Sequence, residues 1–98
     1  MKAQIFNYRF WIKETSSDIL EMFYRLLLES GFRVLQRMTH HFEPVGLTGL
    51  FLLAESHLAI HTFPEEQKSY IEISSCNERY YGVFRDLLFK SGLTIIEE

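Results

Sequence analysis

Six stretches of this chain have the apolar pattern of strands, and in the first and fifth of them apolar and polar residues alternate, as in a strand with one buried face. In the first stretch, for example, Tyr8, Phe10 and Ile12 share one parity. The third stretch is the most apolar, so we expect it to lie near the centre of a sheet. The predicted strands are residues 3–12, 32–42, 47–54, 57–63, 70–76 and 93–96.

Two segments with helical periodicity separate these strands. The first begins after residues 15–18, whose side-chain oxygens can cap a helix, and ends at Gly31. The second begins after Asn77, a favourable N-cap, runs to about Lys90 and is closed by Gly92. The apolar stripe predicted for this second helix consists of Tyr80, Val83, Phe84, Leu87 and Leu88.

These elements predict an α+β fold. With 98 residues there is room for a single domain, residues 1–98. About six strands and two helices fit a two-layer sandwich, in which one face of an antiparallel sheet carries both helices. The other face of the sheet lies open, and it is large and apolar enough to predict a homodimer.

Composition narrows the partners and the location of the protein. The formal net charge is −3 without a long basic run, which argues against nucleic acid because phosphate contacts need clustered Lys and Arg. Residues 1–5 show no signal segment, and no apolar run approaches the roughly 18 residues that span a bilayer. The single cysteine, Cys76, provides no intrachain disulfide. We therefore expect a cytoplasmic protein without a membrane partner.

Residues 53–64 form the most unusual stretch, because they are strand-like and yet carry polar groups that a strand does not need. Ser56 lies at the start of its strand, where a turn can re-aim it. Strand parity places His61 and Cys76 on the open face. The stretch therefore holds a candidate reactive serine with histidines nearby.

Residue types alone leave several interpretations of these groups open. Zinc binding by His57, His61 and Cys76 is one, although their spacing fits no standard site and we predict no metal. A Cys–His hydrolase pair is another, but its oxyanion hole and orienting partner are not visible in the sequence. In a small domain, a lone cysteine and a few histidines are more often structural than catalytic.

A longer motif resembles a known family. Residues 55–65, Glu-Ser-His-Leu-Ala-Ile-His-Thr-Phe-Pro-Glu, with Cys76 twenty residues after Ser56, resemble the self-processing site of bacterial S-adenosylmethionine decarboxylases. Residues 41–49 and 29–31 are similar to the same family, so the resemblance covers roughly residues 29–77. It implies a pyruvoyl-dependent decarboxylase that cleaves itself into residues 1–55 and 56–98.

The resemblance implies a role in self-processing for four residues. The hydroxyl of Ser56 would attack the carbonyl of Glu55 and convert the peptide bond to an ester. β-Elimination would then split the chain and leave Ser56 as the pyruvoyl cofactor. His61 would assist this processing, and Thr48 stands where the family has a serine that helps it.

Further roles implied by the resemblance concern turnover. The pyruvoyl carbonyl would form a Schiff base with the substrate amine and act as the electron sink when carbon dioxide leaves. Cys76 matches the general acid that reprotonates the α-carbon. Phe42 matches an aromatic residue that stacks on adenine, and Glu65 matches the carboxylate that binds the ribose hydroxyls.

The implied function is decarboxylation of S-adenosylmethionine for polyamine (spermidine) synthesis. The chain departs from the family at residues 7–13, where relatives carry a Gly-Arg-His segment followed by an acidic residue. It would thus be a short and N-terminally divergent member. Two alternatives follow: the same chemistry on another amino acid, such as ornithine or arginine, or a non-catalytic homologue that regulates an active partner.

Overall fold

A computed structural model describes residues 4–98 and confirms the α+β class, with one six-stranded antiparallel sheet and two helices. The strands are β1 (Phe6–Ile12), β2 (Val34–His41), β3 (Leu47–Leu53), β4 (Ser56–Phe63), β5 (Lys68–Ser75) and β6 (Ile95–Glu97). The helices are α1 (Asp18–Ser30) and α2 (Glu78–Phe89), and a short 3-10 turn covers Pro64–Glu66.

The strand order across the sheet is β2-β3-β4-β5-β1-β6. The strands β4 and β5 hold the middle of the sheet, and the apolar strand β3 is an interior strand one place from the edge. The predicted start of the first strand, residue 3, lies outside the described residues, and β1 begins at Phe6. The strand β5 begins at Lys68, two residues earlier than the alternation predicts.

One parity of the strands forms the core with both helices, as the alternation predicts. Residues such as Phe10 of β1, Ile60 of β4 and Ile71 of β5 are fully buried, whereas their neighbours along the strand are more exposed. Phe23 of α1 contacts both Phe10 and Phe84 of α2, with ring centroids 6.4 and 6.3 Å apart. Both helices therefore cover the same face of the sheet.

The helix ends follow the predicted chemistry in part. Gly31 closes α1 in the left-handed conformation (φ 107°), and Asn77 caps α2 by accepting a hydrogen bond from the backbone N–H of Tyr80 (2.9 Å). The helix α2 ends at Phe89, before Gly92. Val83, which the helical stripe assigned to the core, is 37% exposed. The completely buried residues of α2 are Phe84 and Leu88.

The open face, the side of the sheet away from the helices, exposes an apolar patch near one edge. Leu50 and Leu52 alternate with the buried residues Phe51 and Leu53 of β3, and Met38 of β2 pairs with Leu50. Met38, Leu50 and Leu52 are 67, 43 and 48% exposed. The centre of the open face is polar, with His57 and Glu72 on the two middle strands. An apolar patch beside polar groups is typical of a surface that meets a partner.

The two glycines Gly31 and Gly82 form a matched pair that tests the helix assignments. A Cβ on Gly31 would lie 2.8 Å from the Tyr80 ring and would keep the unfavourable positive φ. We expect Gly31→Ala to lower the free energy of unfolding by about 1–3 kcal/mol. Apart from its chain neighbours and the backbone of its own helix, a Cβ on Gly82, inside α2, would meet no atom of residues 4–98 within 4 Å. Gly82→Ala should therefore raise the free energy of unfolding by about 0.5–1 kcal/mol.

Denaturant unfolding followed by the fluorescence of Trp11, the single tryptophan, measures both changes. If both variants changed the free energy of unfolding in the same direction, the placement of these glycines would be contradicted.

Candidate functional site

The turn between β3 and β4 gathers a first group of candidate residues, which we call the turn cluster: Glu55, Ser56, Ser75 and Cys76. Ala54 and Glu55 form a two-residue turn, and Ser56 is the first residue of β4. Because β4 pairs with β5 so that Ser56 lies opposite Ser75, the end of β5 comes to the same point. Ser56 is buried, and its parity directs it to the helix-covered side.

The Ser56 hydroxyl has a specific partner. It donates a hydrogen bond of 3.0 Å to the hydroxyl oxygen of Ser75, which is also buried. Ser75 in turn accepts a hydrogen bond from the backbone N–H of Asn77 (3.0 Å). The candidate nucleophile is therefore held by a side chain that is itself anchored at the start of α2.

Glu55 has an unusual backbone conformation directly before this serine. Its φ of 61° lies in the left-handed region, which costs a residue with a Cβ about 1–2 kcal/mol. Its carbonyl oxygen accepts a hydrogen bond of 2.9 Å from the thiol of Cys76, and its carboxylate lies 3.5 Å from the same sulfur. The peptide bond between Glu55 and Ser56 thus combines a strained residue, a polarised carbonyl and an adjacent hydroxyl.

The Cys76 thiol is a hydrogen-bond donor in its protonated form only. Partial burial, the hydrogen bond to the Glu55 carboxylate and the charge of that carboxylate raise the pKa of the Cys76 thiol. The thiol is therefore protonated at neutral pH, and it can donate to a carbonyl oxygen or deliver a proton.

A second group, which we call the cavity cluster, consists of Phe42, Thr48, His61 and Glu65. All four line one cavity of about 380 Å³. Thr48 lies opposite His61 in the pairing of β3 with β4, and its hydroxyl is 2.9 Å from the Nδ1 atom of His61. The imidazole also stacks on the ring of Tyr70, with centroids 6.2 Å apart. The histidine is therefore oriented from both neighbouring strands.

The loop between β2 and β3 shapes the cavity mouth. Phe42 is half exposed, and its ring packs edge-on against His40 with centroids 4.6 Å apart. Its backbone N–H bonds to the carbonyl of Gly46, whose positive φ of 99° closes the loop. The hydroxyl of Thr62 anchors the loop by accepting a hydrogen bond from the N–H of Leu47 (2.9 Å). A half-exposed aromatic ring thus lies at the cavity rim.

Within one chain, the structure separates the two clusters. Ser56 and His61 are five residues apart on β4, which at about 3.4 Å per residue corresponds to about 17 Å. Their odd spacing also directs them to opposite faces of the sheet. The structure brings Glu55, Ser56 and Cys76 together and brings Thr48 together with His61, but it does not bring Ser56 to His61.

The alternative metal site finds no support in this geometry. Across residues 4–98, no group of three or more His, Cys, Asp or Glu side chains comes together to hold an ion. His57, His61 and Cys76 are not gathered. His57 lies on the open face, where it lines a separate cavity with Arg9 and Glu72.

Ser75 is the member of the turn cluster that the sequence patterns missed. Its parity matches Ile71 and Ile73, so alternation predicts an inward-facing polar group at the end of a buried strand. A buried polar side chain needs a partner, and that requirement is the signal that could have marked it. Its pairing with Ser56 depends on the register between β4 and β5.

Comparison with known proteins gives consistent results. A family model described as S-adenosylmethionine decarboxylase matches residues 10–90. An S-adenosylmethionine decarboxylase proenzyme of Prochlorococcus marinus (strain MIT 9313) is 48% identical over 50 residues, covering 51% of this chain and 40% of the relative. One of Moorella thermoacetica (strain ATCC 39073 / JCM 9320) is 32% identical over 77 residues, covering 79% of this chain and 62% of the relative.

A solved structure is similar in fold. The adenosylmethionine decarboxylase from Aquifex aeolicus VF5 superposes with a TM-score of 0.74 at 18% identity, covering 100% of this chain and 91% of that chain. The matches span about 40 to 62% of the length of the curated relatives above. Neither helix in residues 4–98 has the length and apolar character required to cross a membrane.

The contact between Glu55 and Cys76 predicts a pH effect on the thiol. Alkylation by iodoacetamide follows the thiolate fraction, so its rate should rise at a higher pH than for an unperturbed thiol. Glu55→Gln removes the carboxylate charge and should shift this rise to lower pH. The comparison uses a Ser56→Ala background, so that the Glu55–Ser56 bond stays intact.

Glu78→Gln is the control, because Glu78 is a nearby acidic residue at the start of α2, and the hydrogen bonds of the thiol go to Glu55 instead. Its alkylation profile should match the parent chain. Identical profiles for Glu55→Gln and the parent would contradict the contribution of the Glu55 carboxylate to the raised pKa of the Cys76 thiol.

Proposed function

This chain belongs to the S-adenosylmethionine decarboxylase family, and we propose that it cleaves its own Glu55–Ser56 bond and then decarboxylates S-adenosylmethionine. The observation that carries the proposal is the turn cluster. A buried hydroxyl follows a residue in a left-handed conformation, and the carbonyl between them accepts a hydrogen bond from a thiol. A two-residue hairpin turn favours a residue with positive φ, but it needs neither the buried hydroxyl nor the thiol contact in order to fold.

The proposed cleavage begins with an acyl shift. The Oγ atom of Ser56 adds to the carbonyl carbon of Glu55 as its proton leaves, and the C–N bond breaks to give an ester and a free amine. Loss of the Ser56 α-proton then breaks the Cβ–Oγ bond and releases the Glu55 carboxylate. Water replaces the nitrogen of the resulting enamine, so one water is consumed and one ammonia is released. Ser56 is left as a pyruvoyl group.

The residues present suit this sequence of steps. Negative charge develops on the Glu55 carbonyl oxygen as Ser56 adds, and the Cys76 thiol already donates to that oxygen at 2.9 Å. Preorganised donors of this type stabilise the transition state more than the ground state. Because its pKa is raised, the thiol keeps its proton for this purpose. Cleavage also frees Glu55 from its left-handed backbone.

In turnover, a pyruvoyl group at position 56 would supply the electron sink for the loss of carbon dioxide. Cys76 lies beside this position and would deliver the proton to the substrate α-carbon. In the cavity cluster, the exposed ring of Phe42 offers a stacking surface for adenine. The carboxylate of Glu65 offers two acceptor oxygens for the ribose hydroxyls.

The product would feed aminopropyl groups into polyamine (spermidine) synthesis, and we expect this biosynthetic reaction in the cytoplasm. No observation favours the alternatives, an ornithine or arginine substrate or a regulatory homologue. The curated relatives are decarboxylase proenzymes for S-adenosylmethionine by name.

We also propose that two copies of the chain form the complete site. The turn cluster holds the scissile bond and the cavity cluster holds the histidine and the proposed adenosine contacts, yet about 17 Å of β4 separate them. One small substrate cannot contact both clusters of a single chain at their reacting groups. A second copy of the chain can supply the missing half.

The geometry of the open face supports such a homodimer. Stacked sheets lie about 10 Å apart, and a two-fold axis that runs between them and across the strands reverses the strand direction. Strand parity places Cys76 on the open face, next to the Glu55 carbonyl, and this side of the turn cluster then approaches His61 of the partner subunit. The exposed apolar residues Met38, Leu50 and Leu52 would be covered in the same contact.

The first prediction of this proposal concerns Ser56. Ser56→Ala lacks the attacking oxygen, so the variant should remain one chain on a denaturing gel, whereas the parent gives two fragments. Ser74→Ala is the matched control, because Ser74 lies one residue from Ser75 with its side chain on the open face. It should split like the parent. A Ser56→Ala chain that still splits at the same bond would refute the proposed nucleophile.

The second prediction tests the shared site by complementation. Co-expressed Ser56→Ala and His61→Ala chains should regain decarboxylation, since a mixed dimer unites the intact Ser56 of one chain with His61 of the partner subunit. Ser56→Ala with Cys76→Ala should regain none, because both changes damage the turn cluster. Equal recovery from the two mixtures, or recovery from neither, would contradict the two-copy site.

A further inference from the structure

We infer that Ser75 is a positioning residue for the self-cleavage: its hydroxyl holds the Ser56 hydroxyl in the rotamer that attacks the Glu55 carbonyl. The inference rests on the proposed function and adds a residue to it. The observation behind it is the hydrogen bond from Ser56 to Ser75, which joins two buried serines across neighbouring strands.

The register between β4 and β5 makes this contact a property of the fold. Ser56 and Ser75 are directly paired, with an Oγ–Oγ distance of 3.0 Å. Ser56 is 8% exposed and Ser75 is 1% exposed, so water competes little for either hydroxyl. Among residues 4–98, the Ser56 hydroxyl has no other hydrogen-bond partner.

The hydrogen bonds of Ser75 fix the direction of its own hydroxyl. A serine hydroxyl has one donor and two acceptor positions. Ser75 donates to the backbone carbonyl of Asn77 (3.3 Å) and accepts from the backbone N–H of the same residue (3.0 Å). The remaining acceptor position receives the Ser56 proton. Asn77 is itself fixed as the N-cap of α2.

This arrangement has a direct consequence for the nucleophile. A serine side chain has three staggered χ1 positions, and in a free chain the hydroxyl exchanges among them. The bond to Ser75 selects one position and engages the Ser56 proton, so the lone pairs of the oxygen stay available for attack. The proton and the lone pairs of the Ser56 hydroxyl are thereby oriented before the reaction begins.

Packing does not account for a serine at this position. The two inward-facing residues directly before it, Ile71 and Ile73, are apolar and completely buried. The other buried serine of β5, Ser69, donates a hydrogen bond of 2.7 Å to the backbone carbonyl of Glu14. An apolar residue at position 75 would need no hydrogen-bond partner at all. The polar group of Ser75 therefore serves the contacts that it makes, and one of these is with the proposed nucleophile.

The inferred role ends when the chain has split. Cleavage consumes the Ser56 hydroxyl, so Ser75 should affect the rate at which the cofactor forms and not the turnover of each cofactor once it is formed. A purely structural residue would not separate these two quantities in this way.

The experiment follows the first-order loss of full-length chain after rapid synthesis in a cell-free system, for four variants and the parent. Ser75→Ala should slow cleavage by about three- to tenfold, the change expected for one net hydrogen bond. Ser75→Thr retains the hydroxyl and should cleave at close to the parent rate. Ser75→Val has the shape of threonine without the hydroxyl and should be as slow as Ser75→Ala. Decarboxylation per pyruvoyl group should match the parent in every variant.

Ser75→Cys keeps the test valid if the Ser75→Ala and Ser75→Val chains fail to fold. It preserves the size of the side chain and replaces the oxygen with a weak sulfur acceptor, so it too should cleave slowly. If Ser75→Val or Ser75→Cys cleaves as fast as Ser75→Thr, the inference is wrong and the proposed function stands. If the parent chain itself never splits, the proposed function fails first.

Discussion

The register between β4 and β5 is the constraint on which the site depends. It sets Ser56 opposite Ser75 and leaves Cys76 directly after β5, within hydrogen-bond distance of the Glu55 carbonyl. A shift of one residue would move Ser56 to the other face of the sheet and separate these groups. A sheet that is half covered by helices resists such a shift, because it would expose Leu58 and Ile60.

The same strand geometry explains why one chain holds two separate clusters. A strand is straight, and five residues carry His61 about 17 Å from Ser56 and onto the opposite face. In the proposed homodimer, pairing across the open face brings His61 of the partner subunit to the Cys76 side of the turn cluster, next to the Glu55–Ser56 bond. The open face also carries exposed apolar residues. The proposed second copy would therefore both cover these residues and complete the site.

Much of the fold follows from sequence, and the exceptions have physical causes. Gly31 and Asn77 act through the backbone near them, and so their roles as helix ends were predictable. Val83 was assigned to the core wrongly, because helical periodicity gives the direction of a stripe and not its width. The partner of Ser56 was not predictable, since the register of β5 is set by the turn at Pro64–Glu66 and the left-handed residue after it, Gln67. The odd spacing of Ser56 and His61, in contrast, already implied opposite faces.

The most direct test of self-cleavage is the intact mass of the purified wild-type protein under denaturing conditions. Cleavage at the Glu55–Ser56 bond predicts two masses, one for residues 1–55 and one for residues 56–98. The second should be lighter by one ammonia than a fragment that begins with an ordinary serine, because its terminus carries the pyruvoyl group. A single mass for the whole chain of 98 residues would contradict the account.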